Sequence, residues 1–103
     1  MAIASMRDLH EHFTSLGPDA LILDVRRPDE FANGHVPGSR NIPYDEVHEH
    51  VDELKEFKAV IIHCRSGGRA SKAFSDLTKL GLTNLVCIGK SGMTDWTSCG
   101  FPV

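Results

Sequence analysis

The segment His63-Cys64-Arg65-Ser66-Gly67-Gly68-Arg69 holds the residue types best suited to chemistry in this chain. Cysteine attacks as a thiolate, and an ordinary thiol with a pKa near 8.5 is only about 3% ionised at neutral pH. Making the anion dominant takes roughly 2.7 kcal/mol of preferential stabilisation. Two adjacent glycines, Gly67 and Gly68, allow torsions that turn successive N–H groups toward one centre. Arg65, Arg69 and Lys72 concentrate positive charge around Cys64 in a chain whose formal net charge is -3. Such a loop stabilises an anion at its middle, whether a thiolate or the outer sulfur of a persulfide. It also favours an anionic substrate compact enough to enter six residues, Cys64 to Arg69. Cys64 is therefore the candidate nucleophile, with Arg65, Ser66, Gly67, Gly68 and Arg69 as the candidate binding loop.

Other reactive residue types read differently. Cys87 lies in the apolar run Leu85-Val86-Cys87-Ile88 and is expected to be a small buried hydrophobe, and Cys99 sits beside a glycine. Three cysteines with no C-x-x-C pair predict neither a disulfide framework nor a cysteine-based zinc site. His10 with His12, and His48 with His50, have i,i+2 spacing that puts the rings on different sides of a helix, so no metal is expected. Asp24, Arg26 and Glu30 could serve as catalytic charges, but are expected to pair with each other and with loop backbone. His35 is expected to make a structural hydrogen bond rather than act as acid or base, and His63, which strand alternation points the opposite way from Cys64, is given no role.

The loop must be carried to the carboxyl end of a strand, where open parallel sheets gather ligands. Ala59 to Ile62 reads as a strand buried on both faces, leading directly to Cys64. Ala70, Ala73, Phe74, Leu77 and Leu80 predict a helix that begins near Arg69 and is closed by Gly81. Ala20 to Val25 and Asn84 to Ile88 predict two more strands. Ser5, with Asp8 three residues on, predicts the start of a helix bearing Leu9, Phe13 and Leu16 that ends at Gly17-Pro18. Pro28 to Asn33 predicts a short helix stopped by Gly34. Val36 to Ser39 predicts a turn into Asn41-Ile42-Pro43, Asp45 to Phe57 a helix with Val47, Val51 and Leu54 on its apolar side, and Met93 to Trp96 a last helical turn. This alternation predicts an α/β fold with a parallel sheet covered by helices on both faces.

With 103 residues, no repeat and no linker, the span 1–103 reads as one domain. Hydrophobic residues at 41% and charged residues at 24% exclude a disordered chain. The small negative charge predicts no nucleic-acid or membrane partner. No apolar stretch approaches the roughly 20 residues needed to span a bilayer, and Met1 to Phe13 has no signal-peptide h-region. A cytoplasmic location is the simplest expectation.

Three segments together resemble the rhodanese family in its single-domain form, across essentially the whole chain. Asp24-Val25-Arg26-Arg27-Pro28-Asp29-Glu30-Phe31 resembles the family's D-V-R-x-x-x-E-[FY]. Gly34-His35-Val36-Pro37-Gly38-Ser39 with Asn41-Ile42-Pro43 resembles G-H-I-x-G-[AS]-x-N-I-P, and Cys64-Arg65-Ser66-Gly67-Gly68-Arg69-Ala70 resembles C-R-S-G-x-R-[AS]. The resemblance implies a three-layer sandwich with a parallel five-stranded sheet. It also implies ping-pong sulfur transfer: the cysteine takes the sulfane sulfur of thiosulfate or a persulfide donor, and cyanide, a thiol or a protein thiol removes it. Carried onto this sequence, Cys64 is the sulfur carrier and the amides of Arg65 through Arg69 hold the persulfide. The Arg65 and Arg69 side chains orient the anionic donor. No cofactor, metal or general base is implied. One segment departs from the family's G-G-x-x-x-W: Gly89-Lys90-Ser91-Gly92-Met93-Thr94-Asp95-Trp96 separates the glycines, which leaves acceptor choice open. Trp96 is expected to pack in the core.

Two other functions compete. A cysteine phosphatase or arsenate reductase uses C-x5-R, but the residue six after Cys64 is Ala70 and the arginine comes one place earlier. A tetrahedral phosphate calls for the longer loop. A binding or regulatory module of rhodanese type usually lacks the cysteine or the glycines, and this chain has both.

Overall fold

Residues 3–89 and 91–103 are described by the computed structural model. Met1, Ala2 and Lys90 lie outside the described residues, so the first positions of the N-terminal reading and one position of the Gly89–Trp96 segment do too. Along the chain, α1 (Met6–His12) passes through a 3-10 turn to β1 (Ala20–Asp24), α2 (Pro28–Ala32) and β2 (Arg40–Asn41). A 3-10 turn over Val47–His50 runs into α3 (Val51–Leu54), followed by β3 (Ala59–His63), α4 (Gly68–Lys79), β4 (Leu85–Cys87) and α5 (Met93–Ser98). The strands form one parallel sheet in the order β2-β1-β3-β4. Each pair of neighbouring strands is parallel, so every carboxyl end lies at the same edge.

Alternation along the central strands divides the core in two. Leu21, Leu23, Val60 and Ile62 pack with Leu54, Ala70, Ala73 and Leu77 beneath α3 and α4. Ile22 and Ile61 pack with Met6, Leu9, Met93 and Trp96 beneath α1 and α5. Cys64 belongs to the first cluster, so it leaves β3 on the α4 side. In α4 the buried residues Ala70, Ala73 and Leu77 recur every three to four positions, as a helix with one covered side requires.

Most of the expected elements form, but the first helix ends at His12 and gives way to a 3-10 turn over Phe13–Ser15, short of Leu16. β2 appears where no strand was expected, and two differences are larger. Among the described residues the sheet has four strands, where the family resemblance implied five. Ile3 is buried, but the nearby Ala4 and Met6 N–H groups donate to Asp8 Oδ2 and Ser91 Oγ at 3.0 Å each, which leaves them unavailable to a ladder. The segment from Asp45 to Phe57 is not one helix. Glu46 supplies no side-chain cap, and the Val-His-Glu-His run offers weak helix formers, so Glu49 N–H bonds to Glu46 O in 3-10 fashion before α3 begins. At the sheet edge, β2 is only two residues long, and beyond it the Ile42 and Tyr44 N–H groups still donate to Asp24 O and Val25 O at 3.0 Å each. The Asn41 amide also donates to the carbonyls of Asp24 and Arg26, at 3.0 and 2.9 Å.

Candidate active site

Where β3 ends, the chain turns through Cys64 to Gly67 and enters α4 at Gly68, one residue earlier than the sequence indicated. Cys64 is 1% exposed, and its sulfur accepts hydrogen bonds from the N–H of Gly67 at 3.0 Å and of Ala70 at 3.4 Å. Those distances are ordinary for a sulfur acceptor, and both donors belong to the first turn of a twelve-residue helix or its cap. The fold therefore directs fixed positive dipole at the sulfur. Gly67 makes this possible with a φ of +115°, a torsion that costs a side-chain residue strain. A Cβ there would also fall 2.1 Å from Gly89 O.

Of the expected loop donors, Gly67 alone reaches the resting sulfur among the described residues, joined by Ala70. Ala70 reads in the sequence as an apolar helix position that excludes a longer loop, and nothing in its type reveals that its N–H, three residues into α4, points at the sulfur. Arg65, Ser66 and Gly68 are exposed. Arg65 forms part of the wall of a groove of about 550 Å³ that also includes Arg26, Arg27, Glu30, Thr94 and Thr97. Cys64 is not part of that wall.

Arg69 is differently placed. Its guanidinium bonds Glu30 of α2 through two nitrogens, at 2.5 and 3.0 Å. Hydrogen bonding to Arg69 is the main cause that draws the Glu30 carboxyl down to about 2, and Glu30 in return holds Arg69 more firmly protonated. Glu30 also accepts the Arg27 N–H at 3.1 Å. Asp24 and Arg26 pair with each other in a buried bridge of 2.8 Å, and the Arg26 guanidinium reaches Gly34 O at the same distance. The expected pairing of these charges thus occurs, except that Glu30 joins the loop arginine rather than Asp24 or Arg26.

The remaining candidates fall outside the sulfur's surroundings. His35 Nδ1 lies 2.8 Å from Phe31 O, with its ring stacked on Phe31. His63 is fully buried, and burial is the main cause that pushes its pKa below the ordinary value. Lys72 pairs with Asp76 on exposed helix surface. His10 stacks on Phe101, and His50 bonds Glu53. Trp96 is buried, and its indole N–H donates to Pro102 O. Cys87 is only half-buried, facing Ser71, and desolvation is the main cause that raises its pKa. Beyond β4, Met93 N–H donates to Cys64 O at 2.9 Å and Thr94 N–H to Arg65 O at 3.3 Å, so the segment that departs from the family pattern does border the loop.

Comparison with known proteins points the same way as this geometry. The chain is 35% identical over 92 residues to thiosulfate sulfurtransferase 16 of Arabidopsis thaliana, covering 78% of this chain and 76% of that protein. It is 34% identical over 86 residues to the uncharacterized protein YqhL of Bacillus subtilis, covering 84% of this chain and 68% of that one. A second B. subtilis relative is longer, and the chain spans 40% of it. The crystal structure of a rhodanese-related protein from Thermoplasma volcanium superposes with a TM-score of 0.79 at 33% identity, covering 95% of this chain and 92% of that one. Residues 5–99 match the rhodanese-like domain, and with that match running from the cap of α1 past the end of α5, the chain belongs to the rhodanese-like domain family.

Proposed function

We propose that this protein is a sulfurtransferase that carries sulfane sulfur on Cys64 as a persulfide. In the first half-reaction the Cys64 thiolate attacks the outer sulfur of thiosulfate. The new S–S bond forms as the old one breaks, and sulfite leaves with the bonding pair. In the second, cyanide or the thiolate of an acceptor attacks the outer sulfur of the persulfide, giving thiocyanate or an acceptor persulfide and returning the Cys64 thiolate. Charge and electrons balance in each step, so neither cofactor nor metal is called for. A persulfide donor enters by the same first step with a thiolate as leaving group.

The observation that carries this reading is the convergence of the Gly67 and Ala70 N–H groups on one buried sulfur at the mouth of α4. These donors are fixed before reaction, which is how an anion is stabilised without reorganisation. The N–H groups of Arg65, Ser66, Gly68 and Arg69 complete the cradle when a second sulfur is added. Arg65, exposed beside the groove, attracts and orients the anionic donor. Arg69 adds its charge from the position Glu30 gives it.

Incubation with thiosulfate followed by intact-mass measurement tests this function. The expected result is a gain of one sulfur atom, absent in Cys64→Ser and removed by cyanide or a thiol. No gain with thiosulfate or with any persulfide donor would leave the chain a binding module.

A further inference from the structure

Gly92 precedes α5 with a φ of -176°, an extended torsion open to any residue. Its requirement for glycine is one of space. A Cβ at Gly92 would meet Cys64 O at 2.1 Å and Arg65 O at 2.4 Å, both rigid backbone atoms. The N–H groups that follow, of Met93 and Thr94, donate to those same two carbonyls at 2.9 and 3.3 Å. Two consecutive peptide planes of the active loop are therefore pinned from outside, by close approach and by hydrogen bonds together. These planes lead directly to Gly67, whose N–H lies 3.0 Å from the Cys64 sulfur and whose own Cβ space is filled by Gly89 O.

We propose that Gly92 is a positioning residue for Cys64. By packing against the Cys64–Arg65 peptide it holds the loop where the Gly67 and Ala70 N–H groups converge on the sulfur. The inference rests on the reading of this loop as a stabiliser of a sulfur anion. Removing a contact of this kind requires a loop displacement of about 1 Å, a scale at which loss of positioning costs up to about 100-fold in rate. The effect falls on the thiolate itself, so it is separable from a general loss of stability.

The test follows iodoacetamide alkylation of the peptide containing Cys64 in the folded protein, at about pH 6.5 and about pH 10, where thiolate is respectively limited and complete for an ordinary cysteine. In Gly92→Ala the ratio of the low-pH rate to the high-pH rate is expected to fall by about ten-fold, the loss of one hydrogen bond to an anion. Gly17→Ala is the control, because its φ of +72° makes alanine strained while no atom lies within 4 Å of the added Cβ. It lies before β1, at the sheet end opposite Cys64, and should lose thermal stability while keeping the wild-type ratio. Met93→Pro is a second variant, deleting the N–H that reaches Cys64 O at the first helical position, where proline is tolerated. If Gly92→Ala does not fold, Met93→Pro must lower the ratio. An unchanged ratio in whichever variant folds, an equal fall in Gly17→Ala, or an ordinary thiol ratio in the wild type overturns the proposal. Sulfur uptake by the wild type is scored separately, so failure of sulfur transfer and failure of the positioning role are distinct results.

Discussion

Arg69 gives its guanidinium to Glu30 in two hydrogen bonds, whereas Arg65 stands exposed on the groove. On the proposed function, an anionic donor would meet at Arg65 a charge with no ion-pair partner among the described residues, and at Arg69 a charge already half answered by Glu30. Arg65→Ala is expected to lower kcat/KM for thiosulfate by about ten-fold or more and to change an uncharged persulfide donor by less than about three-fold. Arg69→Ala should lower both donors together, because it removes the anchor of the loop's helix as well as a charge. Steady-state kinetics with the two donors separate these outcomes, and equal losses in Arg65→Ala would make that residue a loop-shaping one. The sequence showed two arginines flanking a cysteine and gave them one role. The difference arises from Glu30, 39 positions earlier than Arg69, a distance over which spacing says nothing about contact.

At the scale of elements, the Glu30–Arg69 pair ties α2 to the first turn of α4. Both side chains are largely covered, at 16% and 27% exposure, so the pair is worth more than a surface bridge. Glu30→Gln is expected to cost about 1–2 kcal/mol at neutral pH, read by denaturant unfolding. The sign with pH follows from the carboxyl being drawn from 4.5 down to about 2 in the folded protein. Its stabilisation is complete above pH 4.5 and is lost as pH falls toward 2, so the wild-type advantage over Glu30→Gln should shrink across that window. A constant advantage down to pH 2 would contradict the pairing. The elements themselves were mostly legible: the apolar runs at Ala20 and Ala59 and the three-to-four-residue period of α4 depend only on local pattern. The segment before α3 was not, because its apolar spacing is helical while its residue types and missing cap favour a 3-10 turn. The short strand β2 was also hidden, since its pairing depends on Asn41 reaching across to β1.

For the whole molecule, the sheet separates two apolar clusters, and His63 is fully buried within it. The burial of this ring is a property of the packed fold that no local pattern announces. Burial disfavours its charged form, with the nearby Asp24 carboxylate and a hydrogen bond with the Cys64 backbone opposing and Arg26 adding to the effect. Because the folded pKa lies below 6.5, the unfolded chain binds a proton first as pH falls, and stability decreases below pH 6.5 by up to about 1.4 kcal/mol per pH unit. Above that pH the group is neutral in both states and contributes no slope. His63→Leu should flatten the dependence between about pH 5 and 6.5, because it removes the titrating group. Thermal melts across that range provide the check, and an unaltered slope would assign it to another group. The proposed chemical centre is concentrated in the sequence, with a cysteine, two glycines and two arginines in one short loop. Its supports, Glu30, Ala70 and Gly92, come from three helices or their entrances and are brought together only by the fold.

The central claim, that Cys64 carries the transferred sulfur, is tested most directly with thiosulfate labelled at its outer sulfur. After removal of free donor, peptide mapping should find the label on the fragment containing Cys64, and addition of a thiol or cyanide should release it in full on the acceptor. Label bound to Cys87 or Cys99, or label on Cys64 that no acceptor removes, would contradict the account.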